Sequence, residues 1–583
     1  MTGKYTTELI NKLPKLPLPE LSDTLSRLIE WLTPLLGTAE QAKLAQLISD
    51  FEQTDAPYLQ AKLVQHWQET NASWLAPLWR TSYLTSRAPI QSTSNFALTI
   101  APTSLPELEP IVLAARLLQN FAKQYYRYAS EEAPVETTRS GMPLDMSYYQ
   151  NFFRTQRLPQ PNQDRLTHYR PTLTDVEVTV IVRNTVYQLQ VIDADGQIAS
   201  LSALTENLRN ILALQKRDPF FIGSYTGLDR DTAAEIHDQL RADPLNRANL
   251  NRISNSILTL TLANREESAS LKRTLLGPHN QFFDKTLQLV LDGENGLGIA
   301  FEHSDIDGVP ALNLISEVVN DLSHPDHDQI GISQVTELNW HLNHFEKEAL
   351  VEAEHHNQTI ADQLEFAAAA ISTFGKTQLK ALGVSPDAFF HTALALAEYR
   401  ITGGWRSIYE PVSMRGFYQG RTENARGINA GKKAFVEAFT TDQRDDTVKA
   451  AFDTAVAEHS ERIKLAQQGF GVERHLLGLR EMMLANGGAN AFPAAAAFFN
   501  SDLLAQLQTD FFSTTGIPYD IIDNFSFAPT SEDGYGIYYG ILADKILLTV
   551  SAWVTNAFNA KELADVIVAS TQEVFDWLSS INH

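Results

Sequence analysis

The stretch KTLQLVLDGENGLGIAFEHSDIDG, residues 285–308, reads as two apolar strands joined by a polar turn at Asp292–Asn295. In the return strand Leu297, Ile299 and Phe301 alternate onto one face, and the same period of two carries His303 to that face. A titratable ring at the inner end of a buried stripe is a candidate for chemistry, and the rest of the chain is read outward from it.

A second hairpin precedes this one: VEVTVIVRNTVYQLQVIDADG, residues 176–196, alternates around a two-residue break. The first 90 residues carry apolar positions three and four apart, in DTLSRLIEWLTPLL and QAKLAQLISDFEQ, which predicts amphipathic helices. From about residue 345 the pattern predicts mostly helix, beginning with EFAAAAISTF and continuing through SPDAFFHTALALAEYRIT. In the latter, Ser385 is the expected N-cap and Pro386 the first helical residue. Strands return at YDIIDNFSFAP and GIYYGILADKILLTVSAWV, and ELADVIVASTQEVFDWLSS predicts a closing helix. Strands and helices interleaved in this way predict two α/β (α+β) layers rather than one doubly wound sheet. No fixed-period repeat and no low-complexity linker marks a border.

Composition narrows the function classes. A chain of 583 residues is too long for one hydrophobic core. Its formal charge of -24 opposes broad contact with phosphate backbones, so no nucleic-acid partner is expected, although a local basic spot can still hold a small anion. The absence of cysteine removes disulfides, thiolate metal sites and a cysteine nucleophile, and it fits a cytoplasmic protein. The N-terminus lacks the basic-then-apolar pattern of a secretory signal, and no apolar run reaches the ~20 residues of a membrane span.

Several motifs fail. FGKT at 374–377 resembles the end of a phosphate-binding loop, but the glycine required five residues before Gly375 is Ala370, in an Ala-rich run read as helix. No G-x-S-x-G nucleophile elbow occurs. His324, Asp326, His327 and Asp328 have metal-capable side chains, yet their proline-broken polar setting reads as a solvated loop, and no metal is expected.

Longer segments carry more information. NQFFDKTLQLVLDGENGLGIAFEHSDIDGVP resembles the segment that presents the catalytic histidine in the choline/carnitine acyltransferase family. GKTQLKALGVSPDAF, IYEPVSMRGFYQGRTENAR, GVERHLLGLR, FSTTGIP and FAPTSEDGYGIYYG match the same family in the same order. LPKLPLPELSDTL and MSYYQNFFRTQRLP resemble its opening segments. The resemblance implies two chloramphenicol-acetyltransferase-like domains, each a mixed β-sheet with flanking helices, and an active-site tunnel between them. Residues 1–91 and 343–583 would form one domain, and residues 92–342 the other, carrying the histidine. It also implies acyl transfer between coenzyme A and the hydroxyl of a trimethylammonium alcohol, without a covalent acyl-enzyme.

The parts this chemistry needs can be sought in the sequence. A hydroxyl attacks a thioester slowly until a base takes its proton, and an imidazole suits that task, so His303 is the expected base. Charge developing on the carbonyl oxygen calls for a fixed donor. The family's Ser-Thr-Ser triplet stands here as Ser513-Thr514-Thr515, with Thr515 retaining the donor hydroxyl and adding a methyl. Asp307, where the family has Asp or Glu, is expected to set the local field or to pair with Arg474; it reads equally well as a turn residue.

Carnitine differs from choline by its carboxylate. Arg474, Thr422 and Tyr409 match the residues that carnitine enzymes of the family direct at that group. Phe527 matches the aromatic beside the trimethylammonium end, where cation–π attraction contributes ~0.5–2 kcal/mol. Lys376 and Lys380 match lysines used on the 3′-phosphate of coenzyme A, and Asp387 matches a residue near the adenine. Phe525, two before Phe527, stands where short-chain enzymes have a bulky residue and longer-chain ones glycine, which implies an acetyl to short-acyl preference. The expected protein is a monomeric carnitine acyltransferase of fatty acid metabolism, with acyl-CoA as co-substrate and no permanently bound cofactor. Transfer to choline or another polar alcohol is the alternative, and a catalytically silent CoA-binding scaffold a third reading.

Overall fold

The computed structural model describes residues 3–263, 269–277, 281–324, 329–441 and 446–581. Asp326, His327 and Asp328 of the loop considered as a metal site lie outside the described residues. Both predicted hairpins are present. Strands Val176–Val182 and Thr185–Ile192 pair antiparallel across Arg183 and Asn184, both at positive φ, the twist a two-residue turn between such strands favours. Strands Leu287–Leu291 and Leu297–Phe301 pair in full register, with Leu297, Ile299 and Phe301 at most 1% exposed.

These four strands belong to an eight-stranded mixed sheet. Its order runs Ile522–Phe527, Phe96–Ile100, Leu297–Phe301, Leu287–Leu291, Thr259–Leu262, Val176–Val182, Thr185–Ile192, Val335–Glu337. Helix Pro110–Ala129 buries Leu113, Leu117, Phe121 and Tyr125, spaced by four, in the core of this sheet. A second sheet of five strands runs Leu364–Ile371, Ile546–Trp553, Tyr535–Ile541, Phe512–Gly516, Ile408–Tyr409. Helix Pro386–Thr402, buried at every position from Ala388 to Glu398, and helix Ala560–Ile581 contribute to its core. Ser385 caps the former helix as expected, its side chain accepting from the Ala388 N–H. The opening helices pack with helices Glu473–Ala485, Pro493–Phe499 and Asp502–Gln508 in a third cluster. Among the described residues no helix is long and apolar enough to cross a membrane.

The fold is thus the expected mixed α/β arrangement, with one correction. EFAAAAISTF, predicted as helix, supplies the edge strand Leu364–Ile371. All eight of its residues pair with Ile546–Trp553, so ladder hydrogen bonds and packing against helix Ala560–Ile581 override the helical preference of alanine. Ala370, dismissed as part of a phosphate loop, therefore sits in a strand, and the glycine that loop requires is still absent.

One connection places the functional groups. The chain leaves the smaller sheet at Gly516 and enters the larger one at Ile522, where Ile522–Phe527 pairs antiparallel with Phe96–Ile100. Fifteen residues thus bring Ser513 and Thr515 from one sheet beside Phe525 and Phe527 on the edge of the other.

Candidate active site

A cavity of about 470 Å³ opens where the two sheets meet, within the size range of small-molecule sites. His303, Asp307, Tyr409, Thr422, Arg474, Ser513, Thr515, Phe525 and Phe527 all line it. Nine residues chosen over 225 positions of sequence therefore share one enclosure.

His303 lies two residues beyond the end of its strand, in the turn leading to helix Gly308–Asn320. It continues the buried face: Phe96 stacks on Phe301 at 5.1 Å between centroids and meets His303 edge-on at 5.0 Å. The Nδ1 of His303 is 2.7 Å from the carbonyl oxygen of Ile306. A carbonyl can only accept, so Nδ1 carries the proton and Nε2 is left as the proton acceptor. Burial pushes the imidazole down to about 4; Asp307 and the Ile306 carbonyl oppose that shift and the Arg421 charge adds to it. At neutral pH the ring is uncharged.

Asp307 pairs with Arg421; the pairing with Arg474, one of the readings the sequence left open, does not form. Arg421 Nε is 3.1 Å from Asp307 Oδ2, while its Nη groups donate to the carbonyl oxygens of Ser304 (3.0 Å) and Ile306 (3.1 Å). The reason is geometric: Arg421 folds over the histidine turn, whereas Arg474 is held elsewhere by Trp79 and Thr422. Arg421 stands in the motif GRTENAR directly before Thr422, at a positive φ that local sequence does not signal.

Arg474 is the second residue of helix Glu473–Ala485, and its guanidinium lies 3.5 Å above the Trp79 ring. Nε donates to the Thr422 carbonyl at 3.0 Å. Neither Nη has a hydrogen-bond or ion-pair partner among the described residues. Trp79 and Tyr83, one turn apart on helix Leu75–Thr85, also line the cavity, with Tyr83 5.8 Å from the His303 ring. Both were missed, and their i,i+4 spacing on an amphipathic helix was the only signal available.

Strand Phe512–Gly516 runs parallel to Ile408–Tyr409, with Ser513 opposite Tyr409. Thr514 donates to the Tyr409 carbonyl at 2.6 Å, which fixes the two strands together. Ser513 and Thr515 share the other face of the strand. Their hydroxyls have no hydrogen-bond partner among the described residues and border the cavity. Phe525 is buried between Phe96 (5.4 Å) and Tyr538 (5.3 Å), filling space next to the histidine.

The three residues assigned to coenzyme A lie outside this lining. Lys376 and Lys380 occupy one face of the short helix Lys376–Ala381, and neither ammonium has a partner among the described residues. Asp387 turns inward: Oδ1 accepts from the Tyr539 hydroxyl at 2.7 Å and Oδ2 is 3.2 Å from His459 Nε2. Its setting includes the one group among the described residues with metal-ligand spacing, His391, Glu410 and His459, all buried. Lys432 Nζ lies 2.9 Å from His459 Nδ1, within the same buried group.

An uncharged imidazole, free hydroxyls and a guanidinium with open Nη groups lining one cavity are the parts of a group-transfer site for a small polar acceptor. The model of the choline/carnitine O-acyltransferase family matches residues 16–569, and the chain belongs to that family. It is 26% identical to the mitochondrial carnitine O-acetyltransferase of Saccharomyces cerevisiae, covering 98% of this chain and 88% of the relative. It is also 26% identical to the mitochondrial carnitine O-palmitoyltransferase 2 of Xenopus tropicalis, covering 98% and 92%. Among solved structures, the starter condensation domain of rhizomide synthetase aligns with a TM-score of 0.35 at 11% identity over 86% of this chain and 95% of that one, a likeness too distant to carry an argument.

Proposed function

We propose that this protein transfers a short acyl group, acetyl foremost, between coenzyme A and the hydroxyl of carnitine in a ternary complex. The observation that carries this reading is Arg474, whose two Nη groups are unpaired in the cavity that holds His303. A guanidinium whose two Nη groups make no hydrogen bond or ion pair among the described residues suits an acceptor with a carboxylate, and choline has no anionic group to offer it. The hydroxyls of Thr422 and Tyr409 on the same wall supply further donors.

In the forward direction His303 Nε2 takes the proton of the carnitine hydroxyl as its oxygen attacks the thioester carbon. The new C–O bond leaves a negative oxygen, which the hydroxyl of Thr515, with Ser513 beside it, stabilises; one such donor typically contributes ~3 kcal/mol. Collapse breaks the C–S bond, and the proton held at Nε2 passes to the departing thiolate. Phe527 faces the trimethylammonium group. Phe525, packed between Phe96 and Tyr538, closes the space that a longer chain would thread, which supports the short-acyl preference. Lys376 and Lys380 attract the 3′-phosphate of coenzyme A from outside the cavity.

The test is thiol release from acetyl-, butyryl-, octanoyl- and palmitoyl-CoA, each offered carnitine or choline. Fast release with acetyl-CoA and carnitine alone is expected. Equal rates with choline would remove the role of Arg474, and a preference for palmitoyl-CoA would remove that of Phe525.

A further inference from the structure

His303 is held from two sides, and only one of them involves Asp307. Arg421 grips the carbonyl side of the turn, as described. On the other side stands Arg157, on strand Thr155–Leu158, whose side chain is fully buried and borders the cavity. One Nη of Arg157 donates to Ser304 Oγ at 3.2 Å and lies 3.6 Å from Glu302 Oε1, the residues flanking His303 on either side. Ser304 Oγ in turn donates to Glu302 Oε1 at 2.5 Å, closing a small ring of contacts beneath the imidazole. The second Nη donates to the carbonyl oxygens of Tyr83 (2.7 Å) and Ser86 (3.3 Å) at the end of helix Leu75–Thr85.

Arg157 is itself fixed. Its Nε donates to Asp164 Oδ2 at 2.7 Å, and the same buried carboxylate accepts from Arg230 (2.7 Å) and Arg87 (3.1 Å). A guanidinium spanning three elements in fixed fork geometry is a rigid strut, a task a lysine point charge cannot perform. The helix it reaches carries Trp79, which stacks on Arg474, and Tyr83, which faces His303. One side chain therefore joins the base to the wall that would hold the acceptor.

We infer that Arg157 is a positioning residue that sets the register between His303 and the Trp79–Tyr83 wall, so that the acceptor hydroxyl meets Nε2. This rests on His303 being the base. A misplacement of about 1 Å at a reacting pair can cost roughly 10²-fold, so a loss in kcat is expected with acyl-CoA binding preserved.

The experiment compares Arg157→Lys, Arg157→Gln and Ser304→Ala with His303→Ala, measuring kcat, KM for acetyl-CoA and the pH dependence of kcat. Arg157→Gln and Arg157→Lys should both lower kcat by about 10- to 100-fold with KM for acetyl-CoA within about twofold. Ser304→Ala, which removes one link and leaves the buried charges intact, should lower kcat by about threefold to tenfold at unchanged melting temperature and move the acid limb of the kcat profile. If Arg157 variants do not fold, Ser304→Ala decides. Wild-type kcat and pH profile in Ser304→Ala, with His303→Ala inactive, would overturn the positioning role alone. Retained activity in His303→Ala would overturn the base assignment beneath it.

Discussion

The base-and-acceptor end of this molecule and the end assigned to coenzyme A are built on opposite principles. Around His303 the turn is held by Arg421, while His303 Nε2, the Arg474 Nη groups and the hydroxyls of Ser513 and Thr515 border the cavity with no hydrogen-bond partner among the described residues. At Lys376 and Lys380 the charges stand at the surface of a six-residue helix with no fixed geometry. In the first region the proposed recognition would come from preorganised groups lining a cavity, where each interaction is strong. In the second it would come from charge at a distance, which water and salt weaken.

That contrast ranks the expected effects. His303→Ala should lower thiol release from acetyl-CoA with carnitine by about 10²–10⁴-fold while acetyl-CoA still binds; calorimetric binding beside the rate assay checks both halves. Arg474→Asn should lower kcat/KM for carnitine by about 10- to 100-fold, the range of a hydrogen bond to a charged group. The same substitution should leave choline turnover unchanged. Phe525→Gly should raise turnover of octanoyl-CoA by about tenfold, since a few methylenes become buried at ~0.8 kcal/mol each. Lys376→Ala or Lys380→Ala should raise KM for acetyl-CoA only about two- to fivefold, with the difference vanishing in 0.5 M salt. A loss at the lysines as large as at Arg474 would break the comparison.

The legibility of the sequence follows the same division. Alternation along residues 285–303 predicted the hairpin and the face of His303 because strand period is a local property. The alanine run at 367–370 misled because its pairing with residues 547–550 is set by sheet order, which local composition does not encode. For Asp307 the sequence left a field-setting role, a pairing with Arg474 and a plain turn open, and its pairing with Arg421 depends on how a loop at positive φ folds over a distant turn. Arg157 and Trp79 were missed for a related reason: the partners that give each its place at the site, Ser304 and Arg474, lie more than 140 residues away in the chain.

What unites these findings is an imidazole kept uncharged by its enclosure, ready to accept a proton without first losing one. The pH dependence of kcat, with acetyl-CoA and carnitine both saturating and the protein verified as folded at each pH, tests this directly. With His303 pushed down to about 4, the account predicts a level kcat from pH 8 to about 5.5 and a fall only as the pH approaches about 4, where Nε2 becomes protonated. An acid-side inflection near 6.5, the value of an imidazole in water, would contradict it, as would a kcat that stays level through pH 4.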